Sequence, residues 1–260
     1  MSAREQRVAV VTGASRGVGK GVAAALADAG YVVYGTGRTI AEAELHASVR
    51  ALPCDHTDDA QVSALFEQVL SEAGRLDVLV NSVWGGYETM MEDGEFTWPL
   101  PFWLQPAWRW DAMMTAGVRA ALTASKHAAK VMVEAKSGLI VHISSWAAQK
   151  HAGNTIYGIA KAATDKMASD MGHELAEHGV VVVSLYPGLV RTEATIAAGV
   201  FDLSNSESPE FIGRAVAALA DDPEAMRHTG KVLVAAQLGL DYGFTDVDGA
   251  VPTPLTLDDP

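Results

Sequence analysis

Short, nearly continuous apolar runs alternate along the chain with longer stretches of helical period, starting at Val8-Ala-Val-Val11. Strands that are apolar at consecutive positions are buried on both faces, as in a parallel sheet covered by helices on either side. The runs predict strands over 7–12, 31–36, 49–54, 76–80, 138–143, 180–186 and 231–235. Helices fill the intervals. The clearest spans 157–178, where Ala160, Ala163, Met167, Met171 and Leu175 recur at steps of three and four before Gly179. Another spans 107–135 and stops at Lys136-Ser-Gly138. Only twelve residues separate the second strand from the third, so that connection holds a short helix or none. No repeat, linker or shift of composition divides the chain. The pattern therefore predicts one α/β domain over 1–260, a doubly wound, mostly parallel seven-stranded sheet with helices on both faces, ending in an exposed proline-rich tail at 251–260.

One stretch breaks the regularity. Residues 84–110 hold five of the six tryptophans (Trp84, Trp98, Trp103, Trp108 and Trp110) together with Phe96, Phe102 and three prolines, with no clear period. Such a stretch is neither a central strand nor a regular helix. It reads either as a surface loop folded onto its own core or a subunit contact, or as a lid over an apolar ligand. Its place after the fourth strand favours the lid, because open parallel sheets hold ligands outside the carboxyl ends of their strands.

Composition narrows the function classes. A net charge of −13, with 19 Lys and Arg scattered among 32 Asp and Glu, provides no basic face, so a nucleic-acid partner is excluded. No run approaches the roughly 18 apolar residues needed to span a bilayer, and no membrane partner is expected. The polar stretch Met1–Arg7 leads directly into the first strand, so no secretory signal is expected. The single cysteine, Cys54, reads as a buried strand-end residue; it cannot build a disulfide scaffold or a thiolate zinc cluster and points to a reducing, cytoplasmic setting. The eight histidines show no metal-ligand spacing, and no metal is expected.

The first strand runs into Thr12-Gly-Ala-Ser-Arg-Gly-Val-Gly19 and then a helix. Glycines 13, 17 and 19 at such a turn let backbone approach a pyrophosphate, and the helix N-terminus supplies unpaired N–H groups and a positive dipole. Tyr157 and Lys161 are four apart on one helix and share a face, where an ammonium would favour phenolate and bring the phenol toward working pH as an acid or base. Ser145, at the end of the fifth strand, offers a hydroxyl for a carbonyl oxygen, with Ser144 as the alternative.

With these residues the chain resembles the short-chain dehydrogenases/reductases over about 7–250. The glycine spacing Gly13-x-x-x-Gly17-x-Gly19, the fourth strand Leu76-Asp-Val-Leu-Val-Asn81, and the Ser145, Tyr157, Lys161 set all match, as does the Pro187-Gly188 turn with Val190 and Thr192. The later stretches Gly230-Lys-Val-Leu233 and Asp241–Gly249, with the aromatic insertion, look most like the dehydrogenase/reductase member one-like branch, a branch of carbonyl reductases. The resemblance implies a Rossmann-type NAD(P)-binding domain with a built-in substrate site. It implies Ser145, Tyr157 and Lys161 as catalytic residues. It implies cofactor contacts at Gly13, Ser15, Arg16, Gly17, Val18, Gly19, Arg38, Asp55 (an adenine contact), Asn81, Tyr157, Lys161, Pro187, Gly188, Val190 and Thr192. The substrate would be an apolar ketone or aldehyde and its alcohol, in a pocket walled by Trp84, Trp146 and parts of 94–110 beneath a mobile segment at 193–210. The family usually assembles as homodimers or homotetramers through the helices that here span 107–135 and 157–178.

Charge decides the expected cofactor. An acid at the end of the second strand suits the ribose hydroxyls of NAD, whereas arginine accommodates a 2′-phosphate. Here Gly37 stands in the acid's place, followed by Arg38, with Arg16 in the glycine loop, so NADP(H) is expected over NAD(H). Two departures from the family pattern stand out. Trp84 replaces a small residue after Asn81, and the family's fourth catalytic residue, an asparagine, falls near Thr115, with no asparagine between Asn81 and Asn154. Proton delivery then passes through Thr115 or by another route from Lys161. The missing asparagine keeps a non-catalytic NADP(H)-sensing protein as an alternative, alongside an epimerase or dehydratase on the same fold.

Overall fold

The computed structural model describes residues 6–87, 90–92, 95–199 and 201–259. Positions 88, 89, 93 and 94 of the expected aromatic stretch, position 200 of the expected loop segment, and Pro260 of the tail lie outside that description. In chain order the elements are β1 (Val8–Thr12), α1 (Gly17–Asp28), β2 (Val32–Gly37), β3 (Val49–Pro53), α2 (Asp59–Ala73) and β4 (Val78–Asn81). A short hairpin of β5 (Met91–Glu92) and β6 (Glu95–Phe96) precedes α3 (Ala107–Ala112) and α4 (Ala120–Ala135). There follow β7 (Gly138–Ile143), α5 (Thr155–Leu175), β8 (Val180–Tyr186), β9 (Leu189–Val190), α6 (Glu193–Ala198), β10 (Ser206–Glu207), α7 (Pro209–Asp221), β11 (Val232–Val234) and α8 (Ala235–Tyr242). Between β2 and β3 only a 3-10 turn at Ile40–Glu42 forms, as the short interval requires.

Seven strands make one parallel sheet in the order β11-β8-β7-β4-β1-β2-β3. The order reverses between β1 and β4, so a crevice opens there at the carboxyl ends of the strands. Alternate residues sort the core. Val8, Val10, Tyr34, Leu79, Ile140 and Val182 pack with Phe66 of α2, Met132 of α4 and Ala168 of α5. Ala9, Val11, Val33, Val80, Val141 and Val183 pack with Leu26 of α1, Phe211 of α7 and Leu238 of α8. Both faces are covered, which is why the strands carry no polar alternation.

One rung near the carboxyl edge is polar. Thr36, Thr12, Asn81, His142 and Ser184 stand side by side in register, all buried. Asn81 Nδ2 donates to Ser125 Oγ at 2.9 Å and lies 3.3 Å from His142 Nδ1. Burial pushes the His142 imidazole down to about 4, so it is neutral in the fold. Thr12 Oγ1 accepts from Ser82 N at 3.1 Å, which draws the chain leaving β4 over the loop leaving β1.

The expected helix 107–135 contains an irregularity that its sequence did not announce. Between α3 and α4 lies a π-helical segment, Met113–Arg119, which includes Thr115. A π insertion widens the turn and re-aims the backbone around it. The expected helix 157–178 starts slightly earlier, at Thr155, because Asn154 caps it by accepting from Tyr157 N at 2.9 Å. Its buried line is Ala160, Thr164, Ala168 and Gly172, with Ala163, Met167, Met171 and Leu175 half-buried beside it. The tail runs along the surface and is fastened by Asn205, whose side chain bonds both Thr253 N and Thr253 O, at 2.8 and 3.1 Å.

Candidate active site

At the β1/β4 crevice the glycine loop is pressed between two backbones. A Cβ at Gly13 would come within 2.7 Å of Ser82 O, and one at Gly19 within 2.3 Å of Gly13 O, so both positions exclude any side chain. The loop is tied to β2 by Ala14 N donating to Thr36 O at 2.9 Å. Ser15 meets the end of β2 directly, since a Cβ at Gly37 would lie 2.6 Å from Ser15 Oγ. Arg16 and Arg38, each next in sequence to that contact, are both exposed at this corner. Asp55 closes it from β3. Its carboxylate accepts from Thr57 N at 2.9 Å and Thr57 Oγ1 at 2.7 Å, and these bonds, with Arg38 nearby, hold it below the usual carboxylate range. Val18 packs into the core behind the loop.

Across the crevice, β7 and α5 bring Ser145, Tyr157 and Lys161 together. The Ser145 hydroxyl stands near enough to the Tyr157 phenol to favour its ionised form, and accepts from Ala147 N at 3.3 Å. Ser144, the neighbouring candidate, turns away and donates to Lys161 O at 3.3 Å. Lys161 Nζ donates to Ile143 O at 3.1 Å and is buried, which drives its amine down to about 7 against the pull of Asp165. Burial likewise raises the Tyr157 phenol, outweighing the hydrogen bonds from Ser145 and Tyr87 that lower it. The ammonium expected to draw the phenol down is thus itself strongly desolvated.

The segment after β4 completes the cluster. Glycines 85 and 86 let the chain pass tightly against the π segment, where a Cβ at Gly85 would meet Ala112 O at 2.8 Å. Trp84 then lies on Gly117, where a Cβ would sit 2.6 Å from the indole, and under Lys161 Nζ, 4.0 Å from the ring centroid. The same indole stands edge-on to Tyr157 at 5.5 Å. Trp98 packs 5.4 Å from Tyr157 and is fixed there because Asn154 Nδ2 donates to Trp98 O at 2.8 Å. Tyr87 reaches over this group, and its hydroxyl donates to the Tyr157 hydroxyl at 3.1 Å. The aromatic stretch therefore divides. Trp84 and Trp98 close on the tyrosine, while Phe102, Trp103, Leu104 and Trp110 are exposed. Arg109, fully buried over the Trp98 and Trp108 rings, pins the stretch by donating to Thr97 O at 3.1 Å and Thr97 Oγ1 at 2.8 Å.

Residues 7–199 match the family described as short chain dehydrogenase. The chain belongs to the short-chain dehydrogenase/reductase family of oxidoreductases. Dehydrogenase/reductase SDR family member 1 of Mus musculus is 42% identical over 266 residues, covering 94% of this chain and 84% of that protein. Its counterpart from Homo sapiens is 40% identical with the same coverage, in keeping with the branch expected from the later motifs. Among solved structures, a 3-ketoacyl-(acyl-carrier-protein) reductase from Brucella melitensis complexed with NADH superposes with a TM-score of 0.76 at 24% identity, over 89% of this chain and 97% of that one. A short chain dehydrogenase/reductase family protein gives 0.73 at 29% identity, with the same coverage.

In this dehydrogenase/reductase the remaining motif residues form the rim beyond β8. Pro187 and Gly188 turn out of the strand, and Val190 pairs with Glu207 of β10. Thr192 caps α6 by accepting from Thr195 N at 3.2 Å and lies against Gly17 of the loop. Sequence reasoning missed three residues here: Tyr87, for which the preceding Gly-Gly was a signal, Glu193 and Glu207; Trp98 lies within the stretch 94–110 expected to wall the pocket. Glu193 Oε2 accepts from Gly17 N at 3.0 Å, placing a carboxylate on the N-terminus of α1. Glu207 is buried beneath the Gly188 turn, accepts from Gly188 N at 2.9 Å, and is pushed up to about 7 by that burial. The expected segment 193–210 is bound at its far end, where Arg191 donates to Ser206 O at 2.6 Å and to Asp246 at 2.9 Å.

Proposed function

We propose that this protein interconverts an apolar ketone or aldehyde and its alcohol using NADP(H), with Tyr157 as the acid and base. The observation that carries the reading is the Tyr157 hydroxyl bonded by Tyr87, with the Ser145 hydroxyl close by, beside a desolvated Lys161. Nicotinamide, when bound, supplies or accepts the hydride. The chain fits such a cofactor: the lack of side chains at Gly13 and Gly19 lets the loop fold tightly on Ser82 and on itself, which sets its backbone at the N-terminus of α1, where a pyrophosphate would bind. Ser15, Gly17 and Val18 complete that loop; Asp55, Asn81 and the Pro187, Gly188, Val190 and Thr192 rim belong to the same proposed contact set. Ser145 would hold the carbonyl oxygen, Tyr157 would give it a proton, and Lys161 would orient the ribose side of the site. Trp84, edge-on to Tyr157, and Trp98, tilted against it, are the apolar walls that select the substrate class. Trp146 packs instead on Tyr186, 5.1 Å away, at the margin of that pocket.

The NADP(H) preference is supported by the end of β2, where Gly37 offers no carboxylate to the ribose and lies against Ser15 of the glycine loop, with Arg38 and Arg16 both exposed at the same corner, where they would meet a 2′-phosphate. Replacing Arg38→Ala is expected to weaken NADPH about tenfold or more, at roughly 1.5–3 kcal/mol for a charge-assisted hydrogen bond, and to leave NADH unchanged. Titration of tryptophan fluorescence with each cofactor checks it, and equal affinities in the wild type would refute the preference.

Glu193 opposes the same anion from the other side. Glu193→Gln removes a negative charge at the Gly17 amide and is expected to tighten NADPH about two- to fivefold, the effect of 0.3–1 kcal/mol at a helix terminus. Unchanged or weaker binding in that titration would show that the carboxylate does not compete with the phosphates. A homodimer or homotetramer through α4 and α5 is part of the proposal, supported by the exposed Leu122 and Ile159 on those helices. A cytoplasmic location is supported by the buried lone thiol of Cys54. Among the described residues no helix is long and apolar enough to cross a membrane.

A further inference from the structure

The reading above leaves open how the Tyr157 oxygen regains its proton. We infer that Tyr87 is the positioning and relay residue that returns it, passing a proton from solvent to Tyr157 hydroxyl to hydroxyl. This rests on Tyr157 being the acid–base group.

Three observations carry it. Tyr87 O–H donates to the Tyr157 oxygen at 3.1 Å, so a proton path already exists in the ground state. Tyr87 is 47% exposed as a residue, whereas Lys161 is 6% exposed, so of the two side chains it is Tyr87 that borders solvent, while burial around its hydroxyl holds that phenol well above its ordinary value. The route by way of Lys161 and the π segment is occupied: the Trp84 indole lies on Gly117 and under the Lys161 ammonium, and Lys161 Nζ spends a donor on Ile143 O. The groups facing Tyr157 from the elements around it are Tyr87, Ser145, Lys161 and the uncharged rings of Trp84 and Trp98. Among the described residues Tyr87 is the most exposed of these groups, and its hydroxyl bonds the Tyr157 oxygen directly.

The proton balance closes. In the reducing direction Tyr157 gives its proton to the substrate oxygen and is left as phenolate. Tyr87 O–H then gives its proton to the Tyr157 oxygen, and a water molecule protonates Tyr87, so one proton enters from solvent for each alcohol formed. Oxidation runs the same path backwards. While Tyr157 is phenolate, the Tyr87 hydrogen bond stabilises it, which lowers the Tyr157 pKa, in line with the direction of its effect in the cofactor-free protein.

Tyr87→Phe tests this because it removes one oxygen and keeps the ring on Trp84 and Trp98. In this variant kcat for carbonyl reduction is expected to fall about 100-fold with KM little changed, the low end of what a positioned proton-transfer group contributes. The pH midpoint of alcohol oxidation should move upward. A readout independent of turnover is the titration of the Tyr157 ring followed by NMR in cofactor-free protein labelled at the tyrosine ζ-carbons, with Tyr157→Phe assigning the signal; its midpoint should rise in Tyr87→Phe. A pH profile and a ζ-carbon titration that coincide with wild type would overturn the relay. If Tyr157→Phe itself keeps full turnover, the acid–base reading fails first; if it is inactive while Tyr87→Phe is indistinguishable from wild type, only the relay fails.

Discussion

Tyr157→Phe is expected to lose carbonyl reduction by about 10²- to 10⁴-fold, the range that a positioned general acid supplies, while retaining fold and NADPH affinity. The ring stays: it is gripped by Trp84 at 5.5 Å and Trp98 at 5.4 Å, contacts that phenylalanine preserves. What disappears is the single oxygen that accepts from Tyr87 and that the Ser145 hydroxyl acts upon. The measurement is steady-state NADPH consumption with a panel of aromatic and cyclic ketones, beside a cofactor titration of the same variant. Turnover equal to wild type would sink the mechanism. Loss of NADPH binding together with turnover would instead place Tyr157 in cofactor binding alone.

Lys161→Met should also abolish turnover, yet make the protein more stable. Burial moves the Lys161 amine from 10.5 to about 7, which at 1.36 kcal/mol per pH unit sets a ceiling of about 5 kcal/mol on the cost of carrying this charge into the fold. Because the folded pKa lies below the unfolded one, the unfolded chain binds more protons between these limits. Stability therefore rises with pH across about 7 to 10.5, and the penalty is at full size below 7. Methionine fills the same space without a charge, at the loss of the bond to Ile143 O and the contact with Trp84. A gain on the order of 5 °C in thermal midpoint is expected at pH 7, shrinking toward zero as pH rises to 10.5. Calorimetry of both proteins over that range checks it, and a variant less stable than wild type at pH 7 would show that the ammonium is compensated where it lies.

Much of the architecture could be read from the chain because it depends on short-range regularities. The seven apolar runs became the seven strands of the sheet with shifts of a residue or two, since a parallel strand buried on both faces must be apolar throughout. Gly179 ended its helix in the left-handed region, at φ 72°, as expected of a stop signal. The helix over 107–135 was legible in extent but not in kind. Its π segment answers to Gly85 and Trp84 pressing on it, and those belong to another part of the chain.

The sequence by itself determined the fold class, the strand-to-helix glycine turn, and the pairing of Tyr157 with Lys161 one helical turn apart, all of which follow from local period and spacing. The tertiary structure alone decided which side chains surround that tyrosine. Tyr87 meets it across 70 residues of chain, and Trp98 is anchored to its helix by Asn154 across 56. Only folding also decided the charge states, since Lys161, His142 and Glu207 depart from their ordinary values through burial that no neighbour in sequence imposes. Spacing records what one helix or strand can bring together; desolvation and long-range contact exist only once the elements have packed.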